Sequence, residues 1–223
     1  MSSSAEKFQI REATDADFEA MSLVAAAAFS DNAAYQFLWS HLPAEQRQAA
    51  NAWLIARRFW VCARTGGKVF LAFDGATGRV VGTIAFCVSA LEPPLWTKLR
   101  AGYLLLPIYY GMQTLSQLDA LVASLQGHRA RAEPLSANLK IDLQMVTVDP
   151  ALHRSGIGHK LLMRVLDEIR TMHGASVTVV LDTQKDFAAK FYMQHGNFQL
   201  VSQETLTPAP GHTFTNWVLA RTL

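Results

Sequence analysis

The sequence predicts an α/β protein, a mixed sheet with helices on its faces. Three observations predict it. Val69-Phe70-Leu71-Ala72-Phe73 and Val80 to Ser89 are apolar, β-branched runs on either side of Asp74-Gly75-Ala76-Thr77-Gly78, so they read as two antiparallel strands closed by a turn. Leu139 to Val148 is a strong strand signal, and from Ile157 the pattern turns helical, with Ile157, Leu161, Leu162, Val165, Leu166 and Ile169 on one face. Val177 to Leu181 then returns to an apolar, β-branched run of the kind found in a buried strand.

The other elements follow in order. Phe8-Gln9-Ile10-Arg11 alternates as a short strand. Thr14-Asp15-Ala16-Asp17 carries a capping signal before an alanine-rich helix that runs to about Ala28. A second helix is predicted from about Pro43 to Arg64, with Trp53, Ala56, Phe59 and Trp60 as its apolar positions and Gly66-Gly67 as its stop. Residues 92–137 differ from their surroundings. Pro93-Pro94 breaks the chain, helical stretches follow near Trp96 to Tyr110 and Thr114 to His128, and the polar end from His128 to Pro134 reads as loop. This block is read as a helical insertion packed on the sheet or covering a site. Gly174 suits a helix C-terminus, Asp186 an N-cap for a helix through Gln194, and Gly196 its close. Phe198 to Ser202 and Phe214 to Leu219 are expected as closing strands.

With 223 residues, half of them apolar, the chain can bury a sizeable core; it fits one large domain or two small ones, and the lack of a repeat or a low-complexity linker favours one domain over 1–223. A net charge of +2 is too close to zero to imply a nucleic-acid partner. The seven histidines show no metal-ligand spacing, so no metal is expected. Cys62 and Cys87 form no motif, and Cys87 reads as a small core residue. The opening MSSSAEKF lacks the features of a signal peptide. The most apolar stretch, Tyr103 to Met112, is well short of the ~20 residues needed to span a bilayer. These observations predict a soluble, cytoplasmic protein with no membrane partner, as a monomer or a homodimer.

The chemistry is carried by Arg154-Ser155-Gly156-Ile157-Gly158-His159, a strand-to-helix loop. Such a loop can turn several backbone N–H groups toward one anion, and the helix N-terminus adds unpaired donors and the positive end of its dipole. The glycines allow tight curvature and close approach of a phosphate, and Arg154 adds a cation. A P-loop would need Gly-Lys-Ser/Thr after a four-residue gap, which is missing. A dinucleotide fingerprint begins with Gly156-Ile157-Gly158, but Leu161 replaces its third glycine; Asp182 stands roughly where a ribose-binding acid would sit, yet only about 40 residues follow it. The third reading is the pyrophosphate loop of an acetyl-coenzyme A enzyme.

The flanking residues decide. Met145-Val146-Thr147-Val148-Asp149-Pro150, then His153-Arg154-Ser155-Gly156-Ile157-Gly158, then Lys160-Leu161-Leu162, closely resembles the GCN5-related N-acetyltransferase (GNAT) superfamily. Further on, Phe191-Tyr192-Met193-Gln194-His195-Gly196-Asn197-Phe198 resembles the family's Phe-Tyr-x-x-x-Gly-Phe signature with one residue inserted. The clear match spans about 139–202. The resemblance implies a GNAT-like fold with a mostly antiparallel sheet, and acetyl-CoA as co-substrate. It implies that Val146, Thr147 and Val148 meet the acetyl and pantetheine groups through main-chain atoms, and that residues 154–159 hold the pyrophosphate. His153 stands where the family motif opens with Gln or Arg, and Lys185 lies near where an Asn is often found.

Two side chains are candidates for proton transfer. Tyr192 occupies the position of the family's frequent general acid; a phenol stays protonated at neutral pH and can donate to a departing thiolate. Asp142 lies as far before the glycine loop as the catalytic Glu of histone-acetylating members, and burial would raise its pKa toward a base's range. It is equally readable as an exposed or salt-bridged strand residue. Glu133 and His128 are weaker candidates.

The expected function is acetyl transfer to a small-molecule amine. Trp96, Tyr103, Tyr109 and Tyr110 in the insertion are candidate pocket residues for an apolar or aromatic amine. The resemblance implies that the region between the first two helices meets the acceptor, which makes Phe29, Tyr35, Phe37 and Trp39 secondary candidates. No acidic cluster for a polyamine is apparent in the sequence. The alternatives are a protein or peptide N-acetyltransferase, a non-catalytic CoA-binding regulatory protein and, third, a nicotinamide oxidoreductase.

Overall fold

Strands β1 (Phe8–Glu12), β2 (Lys68–Asp74), β3 (Val80–Val88), β4 (Lys140–Val148), β5 (Thr178–Thr183), β6 (Gln199–Ala209) and β7 (His212–Thr222) form one sheet in the order β1-β2-β3-β4-β5-β7-β6. The structure, a computed structural model, describes residues 7–89, 93–132, 139–174 and 176–223. β4 and β5 run parallel and every other neighbouring pair is antiparallel. The chemistry of connection explains this: β2–β3 and β6–β7 are joined by short turns, whereas a parallel pair needs a long crossover. Helix α7 (Ile157–His173) supplies that crossover.

The helices lie in two layers. α7 and α8 (Asp186–Gly196) cover one face, where Leu161, Leu162, Val165 and Ile169 meet Phe70, Ile84, Phe86, Ile141 and Val179. The expected helical face from Ile157 to Ile169 is the buried one. On the other face α1 (Phe18–Ala28) and α3 (Ala44–Arg64) pack on Val69, Leu71 and Ala85. A third cluster joins α2 (Ala33–Leu38) and α3 to Leu106 and Leu121 of the insertion and to Leu206 and Phe214 of β6 and β7. The insertion itself folds as α4 (Leu95–Arg100), α5 (Leu106–Tyr110) and α6 (Gln113–Ala132).

Several local expectations change. Helix α2 was not expected; Asn32 caps it by accepting from the backbone N–H groups of Ala34 and Tyr35. His128 to Ala132 is the last turn of α6, not loop, because His128 is fully buried against the sheet and Arg129 and Arg131 pair with acids on strands. Glu133 and Pro134 lie outside the described residues. Lys185, not Asp186, caps α8, and Asn197 at φ 52° closes it where Gly196 was expected. Gly196 is instead needed for packing: a Cβ there would lie 2.8 Å from Phe198 and 3.0 Å from Leu162.

Candidate active site

The site begins with one extra residue in β4. Thr83 pairs with Thr147 and Ala85 with Gln144, so two residues of β4, Met145 and Val146, lie opposite Ile84 alone. Met145 takes φ 52°. This is a β-bulge, and it bends its strand. It also shifts the alternation. Before it, Ile141 and Leu143 pack toward α7; after it, Val146 and Val148 do, while Met145 joins the α1–α3 cluster. Pairing with β5 is confined to Lys140, Ile141 and Asp142. Beyond Asp142 the two parallel strands part, and the β5 side of 143–148 is left without a strand partner among the described residues. That gap is the floor of a continuous cleft of about 1630 Å³, larger than the ~300–1,000 Å³ typical of one small ligand.

At one end of the cleft the loop 153–159 runs from β4 into α7. Arg154 at φ 64° and Gly156 at φ 82° turn it sharply, with Gly156 as the cap of α7. The first N–H groups of a helix have no partner within it, so this terminus presents donors and positive potential to an anion. A Cβ on Gly156 would meet nothing within 4 Å, and one on Gly158 would rest against Val148 and Phe191. The open glycine side, the exposed Arg154 and the free edge of β4 fit a phosphate-bearing thioester: residues 154–159 would hold its pyrophosphate, and the backbone of 146–148 its pantetheine arm. The helix terminus comes this close to β3 because Gly82 has no side chain; a Cβ there would lie 2.9 Å from Leu161 Cδ1, 3.0 Å from the Thr147 carbonyl oxygen and 3.2 Å from Ile157 Cγ2.

Tyr192 lines the cleft from α8, its ring packed edge-on against Phe191 and Phe198. The residue is 6% exposed, and burial pushes its phenol pKa well up. It therefore stays protonated through neutral pH. Val146, Thr147, Val148 and residues 154 to 159 all line the same cleft. The Thr147 side chain turns away from it to bond the Thr83 hydroxyl at 2.8 Å, leaving its main chain for the cleft.

Asp142 is placed differently. It is not on the cleft wall; its carboxylate holds Arg129 Nη1 at 2.5 Å. Arg129 also holds Asp182 at 2.6 Å. Asp142 is therefore seen here in an ion pair with Arg129. Asp182 is the carboxyl whose pKa rises, because burial outweighs the opposing pull of Arg129 and Asn216. His128, fully buried, bonds Ser202 at 2.9 Å and Asn216 at 3.0 Å and lies off the cleft. Asn216 in turn bonds Asp182 and Gln184, and Gln184 bonds Asn32.

The far end of the cleft is walled by Leu54, Tyr103, Leu118, Leu121 and Leu125, with Tyr35 and Arg58 beside Gln144. Arg58 donates to the Tyr35 hydroxyl at 3.4 Å and to Gln144 Oε1 at 3.1 Å. Of the expected aromatics, Phe29, Tyr35 and Tyr103 line the cleft; Trp96 and Tyr109 are exposed, Phe37 and Trp39 are in the core, and Tyr110 packs on Trp39 and Trp53. Arg58 and Arg129 carry no signal in the sequence, since arginines on helices usually belong to solvated faces. Lys185 pairs with Asp31 at the cleft margin.

Among the described residues no group of His, Cys, Asp or Glu is placed to hold a metal, and no helix is long and apolar enough to cross a membrane.

Residues 131–209 match the family model of the acetyltransferase (GNAT) domain. A search of curated proteins finds no match. Among solved structures the chain is similar to an agmatine N-acetyltransferase mutant in its apo form, with a TM-score of 0.65 at 16% identity over 98% of this chain and 100% of that one. It is similar to the polyamine N-acetyltransferase of Drosophila melanogaster, which forms N-acetylagmatine, with a TM-score of 0.65 at 15% identity over 97% and 100%. It also resembles a Salmonella typhimurium protein solved with its cofactor acetyl-CoA, with a TM-score of 0.52 at 18% identity over 97% and 94%. At these identities the likeness is one of fold. The family match spans the loop and Tyr192, so residues 131–209 are similar to a GNAT acetyltransferase domain, and the whole chain shares the fold of these structures.

Proposed function

We propose that the protein transfers an acetyl group from acetyl-CoA to the amine of a small molecule. The observation that carries this reading is the continuity of the cleft from the phosphate-binding loop, past Tyr192, to an end walled by the inserted helix α6. Bound acetyl-CoA supplies an activated thioester. The 154–159 loop binds its pyrophosphate, and the free edge of β4 at 146–148 orients its arm and polarises the thioester carbonyl through backbone donors. Tyr192 delivers a proton to the leaving sulfur. Both acids next to the strand gap are held by Arg129, so the proton of the attacking amine passes to water in the cleft. The enclosing helix favours small acceptors over a peptide, and two structurally similar enzymes are named for agmatine and polyamine acetylation.

The test is release of free thiol from acetyl-CoA with a panel of amines and peptides, beside direct titration of CoA. Turnover with small amines is expected. CoA binding without turnover on any acceptor would favour a regulatory CoA-binding protein, and peptide turnover alone would replace the small acceptor.

A further inference from the structure

We propose that the acceptor amine carries a carboxylate, and that Arg58 receives it. This inference rests on the reading of the cleft's far end as the acceptor site.

Arg58 reaches into the cleft from α3, partly buried, between Tyr35 and Gln144. It donates to two neutral oxygens: the Tyr35 hydroxyl at 3.4 Å and Gln144 Oε1 at 3.1 Å. Among the described residues no carboxylate is paired with it. A guanidinium offers five N–H donors in a planar fork that matches a carboxylate. Two of them are engaged here. The neighbours hold the fork in place: Gln144 is oriented by donating to Cys87 Sγ at 3.1 Å, and the Tyr35 hydroxyl faces Met145 Sδ at 3.8 Å. Leu54, Leu118 and Leu121 supply an apolar wall to the same cleft, a surface suited to the apolar body of an acceptor.

The surrounding charge agrees. Arg58 and Arg129 line the cleft together with Asp182, and Asp31 in the same lining is paired with Lys185. Asp182 and the neighbouring Asp142 are both taken up by Arg129. A guanidinium of the protein itself thus occupies the two acids that would otherwise suit a second positive charge on an acceptor. A diamine or an agmatine-like acceptor would bring a cation toward Arg58 and Arg129, where Asp142 and Asp182 are already held by Arg129, whereas an amine with a carboxylate and an apolar body would complete the Arg58 pair.

The experiment compares phenylalanine, its methyl ester, 2-phenylethylamine and putrescine as acceptors in the thiol-release assay. Phenylalanine is expected to exceed the two analogues that lack the carboxylate in kcat/KM by about 10- to 100-fold, the value of one charge-assisted pair, mainly through KM, and putrescine is expected to be the poorest. In Arg58→Met the preference should fall to near unity, and Arg58→Lys should keep part of it. CoA affinity reports that each variant is folded. A wild-type preference for putrescine or the ester, or a preference untouched by Arg58→Met, overturns the proposal while leaving acetyl transfer standing. Binding of N-acetylphenylalanine to the CoA-loaded protein gives a readout that needs no turnover. Binding that Arg58→Met abolishes supports the carboxylate site even if no amine is acetylated; absent or Arg58-independent binding sinks it.

Discussion

Arg129 reaches Asp182 at 2.6 Å from a helix of the insertion, at the place where β4 and β5 cease to pair. Because it holds Asp142 at 2.5 Å as well, it closes the mouth of the strand gap with one cation shared by two acids. Replacing it by Ala leaves two carboxylates close together with 14% and 18% of their side chains exposed. Arg129→Ala is expected to cost about 3–5 kcal/mol of unfolding free energy in urea. Adding Asp142→Asn should recover part of that loss. A cost below about 1 kcal/mol, the range of a solvated pair, would show that the cluster is not a structural tie.

Tyr192→Phe removes the phenolic proton and keeps the ring contacts with Phe191 and Phe198. If Tyr192 is the acid, kcat should fall by about 10²–10⁴-fold, with CoA affinity little changed. Burial raises the phenol pKa, so the acid is present at all pH values below its ordinary value of about 10. The wild-type rate should therefore rise with pH as the amine loses its proton, with no alkaline fall below that value. An alkaline limb centred near pH 8 that disappears in the Phe variant would contradict this assignment.

Gly82→Ala tests the seat of the phosphate loop. The new methyl would lie 3.0 Å from the backbone oxygen of Thr147, which cannot swing aside, as well as against Leu161 and Ile157. The N-terminus of α7 must move off the sheet. A loss of about 1–3 kcal/mol in stability is expected, together with weaker CoA binding measured by titration. Unchanged CoA affinity would mean that the loop does not depend on this close approach.

The Arg11–Asp17 pair sets an acid dependence at the start of α1. The guanidinium of Arg11, and then the Thr14 backbone and hydroxyl, hold the Asp17 carboxyl well below the usual range against a smaller opposing effect of burial. A carboxyl depressed in the folded state gives stability that is present above its unfolded pKa of about 3.9 and is lost as pH falls below it. Arg11 is 46% exposed, so solvent screens the pair; loss of the cap and the pair in Asp17→Ala should cost about 1 kcal/mol at pH 7. The difference in Tm between wild type and Asp17→Ala should shrink from pH 6 to pH 3. A difference that stays constant over this range would remove Asp17 from the acid response.

The elements legible in the sequence are those whose signal is local. The hairpin at residues 68–88, the strand before the glycine loop and the six-residue apolar face of α7 each state their form through spacing and turn chemistry. Helix α2 and the last turn of α6 were not legible. Asn32, His128 and Arg129 look like loop or surface residues until the sheet supplies their partners Gln184, Asn216, Asp142 and Asp182. The glycine loop and Tyr192 could be found because their chemistry is held within short motifs. Arg58 could not, because its meaning depends on Gln144, 86 positions away.

The sequence alone determined the order of strands and helices from Leu139 onward, the glycine loop and the family it resembles. Backbone curvature at glycine and the periodicity of apolar residues are local properties, and they are written in consecutive residues. The tertiary structure decided the far end of the cleft. The bulge at Met145, the parting of β4 from β5, the Arg129 clamp and the placement of Arg58 arise only when distant segments meet. Whether a charged side chain is a solvated surface group, a structural tie or a recognition site depends on its burial and its partners, and neither is a property of the chain before it folds.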